Sequence, residues 1–267
     1  MNSDVFPPPS ISTDPRFSGI ARLVGRAGLE ALWGSEVCVI GVGGVGCWTA
    51  EALARSGVGA MSLVDMDEVC VTNVNRQLHA LDSTVGRPKI EAMAERLREI
   101  SPNLRVRQEF RFFTERSCAE ILEAGADVVV DCIDSIPHKC LLLSECRARG
   151  LPVVTVGAAG GRFDPGQVAR VDLSRTYNDA LLQRVRKKLR QKFDFPRNTR
   201  KPWGIPAVFS PEPVRYPQSD GTVCAVREEG SNLRLDCASG YGTASFVTGA
   251  FGFAAAAAAV DLLVKRD

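Results

Sequence analysis

Short, unbroken apolar runs alternate along the chain with stretches in which apolar residues recur every three or four positions. Val37-Cys38-Val39-Ile40 and Asp127 to Cys132 are continuous apolar runs of the kind that parallel strands show when buried on both faces. Met61 to Asp65, Val106 to Phe110, Pro152 to Val156 and Val168 to Asp172 read as further strands. From Phe17 to Trp33 the spacing of Ile20, Leu23, Val24, Ala27, Leu29 and Leu32 predicts a helix. Helices are also expected over 45–56, 88–100, 114–123 and 135–149, with Pro88 and Pro137 in first turns and Ser135 as an N-cap. This alternation predicts an α/β, Rossmann-like fold: a mainly parallel sheet covered by helices on both faces.

Three stretches break the rhythm. Residues 1–15, with three consecutive prolines and no periodicity, are expected to form a disordered N-terminal tail. Residues 16–267 are then expected to form one domain. Between Arg175 and Pro202 ten Arg or Lys residues face two Asp, and prolines punctuate 202–217. The segment 175–215 therefore reads as a basic crossover insertion, helical first and loop-like later. From Ala244 to Val260 the chain is almost wholly apolar, but it falls short of the roughly 20 residues a spanning helix needs. Its alanines and the pair Gly249 and Gly252 favour a buried core or dimer-interface helix over membrane association.

Composition changes this picture little. Of 267 residues, 45% are hydrophobic and 24% charged, and a formal charge of +2 does not by itself call for a nucleic-acid partner. The nine cysteines include no C-x-x-C pair, and the polar, proline-rich start has no secretory pattern. A cytoplasmic protein with reduced thiols is expected, without a structural zinc.

The chemistry begins at Gly41-Val42-Gly43-Gly44-Val45-Gly46, which follows a predicted strand and opens a predicted helix. In that context Gly41, Gly43, Gly44 and Gly46 allow a tight turn whose backbone N–H groups meet phosphate oxygens at a helix N-terminus. Asp65 stands where an acidic residue takes ribose hydroxyls. A nicotinamide or flavin dinucleotide would fit this much as well as ATP. The next residues favour a triphosphate: Asp67, then Asn73-Val74-Asn75-Arg76-Gln77, then Lys89, gather cations and amides that a dehydrogenase does not need. Asp134, after the fourth strand, could hold Mg²⁺ between phosphates or cap the following helix.

Together these residues resemble the E1-like adenylating enzymes, the superfamily of ThiF and MoeB. The carrying pattern is G-x-G-G-x-G at 41–46, D-x-D at 65–67, N-x-N-R-Q at 73–77, Lys89, and C-I-D-S at 132–135. The resemblance implies a single adenylation domain binding ATP and Mg²⁺. Asp65 would contact the ribose, Asn75, Arg76 and Lys89 the phosphates, and Asp134 the metal, with Asp67 and Gln77 in the same nucleotide-binding set. Within the superfamily the chain is most similar to the tRNA threonylcarbamoyladenosine dehydratases. That likeness is carried by R-F-S-G at 16–19, V-C-V-T-N-V-N-R-Q at 69–77, G-A-A-G-G at 157–161, Y-P-Q-S-D-G-T-V-C at 216–224 and D-C-A-S-G at 236–240. It implies that ATP activates the threonyl carboxylate of the modified adenosine in tRNA, with Arg76, Lys89 and Asp134 as the catalytic set. Ring closure then expels the activated oxygen. The basic segment would contact RNA, and no DNA partner is implied.

Two other functions stay open on the sequence: activation of a ubiquitin-like or sulfur-carrier protein at its C-terminal carboxylate, and nicotinamide-dependent oxidoreduction. A homodimer is expected by resemblance, with Arg16 reaching the partner's ATP. A sulfur-transfer protein partner and thiol roles for Cys224 and Cys237 are left undecided, and His79 is expected to be structural.

Overall fold

In the computed structural model, residue 11 and residues 14–198, 201–228 and 241–265 are described. Nearly all of the patterned segments form the expected elements. In chain order these are α1 (Ser18–Trp33), β1 (Glu36–Ile40), α2 (Gly46–Arg55), β2 (Ala60–Val64), α3 (Lys89–Ile100) and β3 (Arg105–Glu109), then α4 (Cys118–Leu122), β4 (Val128–Asp131), α5 (Ile136–Arg149), β5 (Val153–Val156) and β6 (Ala169–Asp172). The chain continues through α6 (Ala180–Lys192), β7 (Pro206–Phe209), the two-residue strands β8 (Tyr216–Pro217) and β9 (Val223–Cys224), and α7 (Ser245–Val264). Helix α1 is interrupted at Gly25, where φ is 79°.

The main sheet has seven strands in the order β3-β2-β1-β4-β5-β7-β6. All pairs are parallel except β6 with β7. Val37, Val39, Val128 and Val130 point into one core with α2, α3 and α7, centred on Leu53, Met93 and Phe251. Cys38, Ile40 and Val129 alternate into the opposite core with α5 and α6, among Leu142, Val185 and Phe209. Chain direction across the sheet reverses between β1 and β4. That topological switch point, at the carboxyl ends of the strands, is where doubly wound sheets open a ligand crevice.

One segment differs from expectation, and a second forms the buried helix expected of it at greater length. The loop-like end of the basic stretch contains β7, inserted between β5 and β6, so the crossover contributes to the sheet itself. The apolar stretch forms α7, which has the length and composition of a membrane span. It packs on α1, α2, β4, β5 and β7, so much of its apolar surface is covered by the protein's own core. The expected tail lies mostly outside the described residues, as do Cys237 and the 236–240 motif.

Candidate functional site

The loop from β1 to α2 is shaped by its own contacts. Gly41 has a φ of 89°, and a Cβ there would lie 2.9 Å from the Cys132 carbonyl oxygen. A Cβ on Gly46 would fall 1.9 Å from the Gly41 carbonyl oxygen, so no other residue closes this turn. Gly44 lies under the aliphatic part of Arg76. At Gly43 a Cβ would meet nothing within 4 Å. The protein's own packing does not require glycine there, and the open side is free for a ligand to approach the backbone.

Asp65, just past β2, reaches back to this loop. Its Oδ2 accepts from Val42 N at 2.7 Å and its Oδ1 from Asp67 N at 2.8 Å. Burial raises its pKa, opposed chiefly by Lys89. Lys89 is itself nearly buried and donates to Asp67 Oδ2 at 2.7 Å, so the expected phosphate cation is already paired with a carboxylate.

The 73–77 segment is pinned to two helices. The Arg76 carbonyl accepts from Trp48 Nε1 of α2 and Thr248 Oγ1 of α7, both at 3.1 Å. Its guanidinium donates to the Thr72 carbonyl at 2.7 Å and Asn75 Oδ1 at 2.9 Å. Asn75 is exposed and donates to the Thr243 carbonyl at 2.8 Å. Gln77 is buried, with Oε1 unpartnered among the described residues, whereas Asn75 two positions before it is exposed. His79 is also buried, with both ring nitrogens unpartnered. Burial, with Lys89 adding to it, pushes the His79 imidazole down to about 4.

Asp134 follows β4 at the switch point. It is exposed and has no hydrogen bond or ion pair among the described residues, and the N-cap of α5 is Ser135. No group of three or more potential metal-ligating side chains occurs among the described residues. A single free carboxylate fits Mg²⁺, which keeps waters and takes substrate phosphates for its remaining positions. It does not fit a metal that needs an all-protein cage.

Two supports had no signal in the sequence. Beneath Asp134, Asp131 and Lys139 form a fully buried ion pair. The G-A-A-G-G loop after β5 is tied to α6 by Asp179, which accepts from Ala158 N at 2.9 Å and Leu182 N at 2.8 Å. A Cβ on Gly157 would lie 2.1 Å from Asp179 Oδ2, which accounts for the first glycine of that motif. On α6, Leu182, Val185 and Leu189 are buried while Arg184 and Lys187 face solvent. Arg190 stacks over Trp203 at 5.1 Å and Arg147 over Phe195 at 4.5 Å. Cys224 is exposed, its thiol donating to the Val226 carbonyl at 3.3 Å. Arg16 is half exposed and paired with Asp14 of its own chain at 3.0 Å.

Sheet order, switch point and glycine loop define a Rossmann-like α/β protein. More narrowly, the chain belongs to the ThiF family, whose profile matches residues 18–267. It is 46% identical to the tRNA threonylcarbamoyladenosine dehydratase of Escherichia coli over 94% of each chain. The enzyme of that name from Haemophilus influenzae is 41% identical over 95% of each. Among solved structures, that of the E. coli dehydratase in complex with ATP superposes with a TM-score of 0.81, covering 93% of each chain at 41% identity.

Proposed function

We propose that this protein is an ATP-dependent dehydratase that adenylates the carboxylate of N6-threonylcarbamoyladenosine in tRNA and closes it to the cyclic form. The observation that carries the reading is an open glycine loop at the switch point, flanked on one side by Arg76, which packs on Gly44, and on the other by the turn of Asp134, whose carboxylate has no partner among the described residues. The near full-length likeness to dehydratases supports the choice of substrate.

In this reading the N–H groups of the 41–46 loop hold the phosphates at the start of α2. Asp65 takes the ribose while fixing the loop through Val42 N. Arg76 and Asn75 bind phosphate oxygens, and Lys89 divides its protons between Asp67 and the phosphates. These cations offset the charge that grows on departing pyrophosphate. Gln77 supports the segment from inside. Asp134 would hold Mg²⁺, which would supply charge neutralisation to the phosphates. The substrate carboxylate oxygen attacks the α-phosphorus and pyrophosphate leaves. The carbamoyl nitrogen then attacks the activated carbonyl carbon, loses its proton, and AMP departs, so the nucleoside loses one water in total. The attack is intramolecular, and positioning supplies much of its rate.

Residues 16–267 act as one adenylation domain, with the basic face of α6 following the RNA backbone. A homodimer is supported by exposed Val71, Val74, Phe246 and Phe253 around the site. A cytoplasmic setting is supported by the free thiols of the described cysteines.

The test is a mass spectrum of nucleosides from tRNA carrying the modified adenosine, after incubation with protein, ATP and Mg²⁺. Loss of one water, dependent on ATP and abolished by Arg76→Ala, is expected. ATP cleavage to AMP without any change in the nucleoside would reject the tRNA substrate in favour of a carrier protein's carboxylate.

A further inference from the structure

The turn that carries Asp134 is built from below by a lysine. Lys139 lies one turn into α5 and, with Asp131 at the end of β4, has no solvent exposure. Its Nζ donates to three oxygens of the turn: Asp131 Oδ2 at 2.9 Å, the Ile133 carbonyl at 2.9 Å and the Asp131 carbonyl at 3.3 Å. Those acceptors use all three ammonium protons. Asp131 is equally engaged, its Oδ2 accepting from Thr155 Oγ1 at 2.7 Å and its Oδ1 from Ile133 N at 3.1 Å. Between the two carbonyls that Lys139 holds, Cys132 N donates to the Ile40 carbonyl at 2.9 Å. The Cys132 carbonyl packs where a Cβ on Gly41 would be. One ammonium group therefore fixes the backbone on both sides of the point where this turn touches the glycine loop.

A buried ion pair is weak evidence of stabilisation, because desolvation of both charges offsets their attraction. Its value here is geometric. Asp134, which follows Ile133, has no side-chain bond among the described residues to set its position. We infer that Lys139 is a positioning residue: it presets the 131–134 turn so that Asp134 meets the divalent cation without reorganisation. This rests on the assignment of Asp134 to Mg²⁺. Outer partners of metal ligands act in this way, and their loss weakens metal binding by about 10- to 100-fold.

The experiment measures retention of Mn²⁺ by the protein with a non-hydrolysable ATP analogue, by electron paramagnetic resonance of free Mn²⁺. Analogue affinity in EDTA is measured alongside. The paired variant Asp131→Asn/Lys139→Met removes both charges together, so neither is left buried alone. It is expected to weaken Mn²⁺ retention about tenfold or more, with metal-free analogue binding within about twofold of wild type. A purely structural pair would lower the melting temperature and leave Mn²⁺ retention unchanged, which overturns the inference. Asp134→Asn separates the two levels: if it leaves Mn²⁺ retention unaltered, the assignment of Asp134 fails and the role of Lys139 fails with it. Wild-type protein gives a check that no variant can spoil. Hydrogen exchange at the Cys132 and Ile133 amides should slow on binding Mg²⁺ and the analogue by no more than that of the β1 core amides, which report global stabilisation. Slowing of tenfold or more beyond those core amides would show that the turn is not preset, and the inference would be wrong.

Discussion

Gly249 and Gly252 lie one turn apart on α7, yet the packing against α2 demands opposite outcomes when each becomes alanine. At Gly252 a Cβ would sit 2.5 Å from Trp48 Cβ, 2.8 Å from the Val45 carbonyl oxygen and 3.0 Å from Thr49 N. Carbon atoms rest at about 3.5–4.0 Å, so the helices must part by roughly 1 Å. Two of those three atoms are backbone and cannot swing aside. Overpacking of this kind costs about 1–3 kcal/mol, equivalent to a fall of about 2–12 °C in melting temperature for a chain of this size. At Gly249 the nearest atom is Trp48 Cδ2 at 3.7 Å, an ordinary contact. There Gly249→Ala should gain about 0.5–1 kcal/mol of helix propensity. The consequence reaches the site because α2 begins at Gly46, which abuts Gly41. Displacing α2 widens the glycine loop, so Gly252→Ala should also weaken ATP binding several-fold, while Gly249→Ala leaves it unchanged. Differential scanning fluorimetry and calorimetric titration with ATP measure both effects. Equal melting shifts for the two variants would refute the argument that α7 sets the position of α2 at Gly252.

Other outcomes follow from single contacts. Arg76→Ala removes a guanidinium whose bonds among the described residues are to Thr72 and Asn75 nearby, so turnover should fall by about 100-fold or more with little change in melting temperature. His79 is depressed to about 4 in the folded protein. At pH values between there and its ordinary value near 6.5, unfolding takes up a proton. Stability is therefore full above that window and declines as the pH falls through it, by about 2 kcal/mol between pH 7 and pH 5. Urea titrations at the two pH values should show this difference shrink in His79→Leu, and an unchanged difference would exonerate the histidine. Arg184→Glu and Lys187→Glu on the exposed face of α6 should each weaken tRNA binding. Each should also flatten the dependence of log K on log salt by about one, as read by filter binding, whereas parallel salt slopes would remove α6 from the RNA path.

How far the sequence announces this structure depends on whether a feature is local. The strands at 37–40 and 127–132 are legible because both faces are buried, so their apolar runs are unbroken. β7 was hidden by Pro206, by the nearby Pro202, Pro211 and Pro213, and by its length of four residues. Its proline is tolerated because it is the first residue of the strand, and the parallel pairing with β5 starts at Ala207. The glycine loop is legible for the opposite reason: its constraint is the backbone itself, and only glycine meets it at Gly41 and Gly46.

Charged residues carry no such mark. Lys89 and Lys139 both sit near the start of a helix, and nothing in their spacing distinguishes a phosphate ligand from a buried strut. Burial separates them, and burial is tertiary. Lys139 is enclosed with three acceptors and has no proton left for a ligand. Among the described residues Lys89 has one carboxylate partner, Asp67, whose side chain is 55% exposed, so two of its protons are left for a ligand there. The cation expected to meet phosphate is thus the one whose pairing can be shared with a ligand. The cation that cannot be shared instead holds the turn on which the metal-binding carboxylate is proposed to stand.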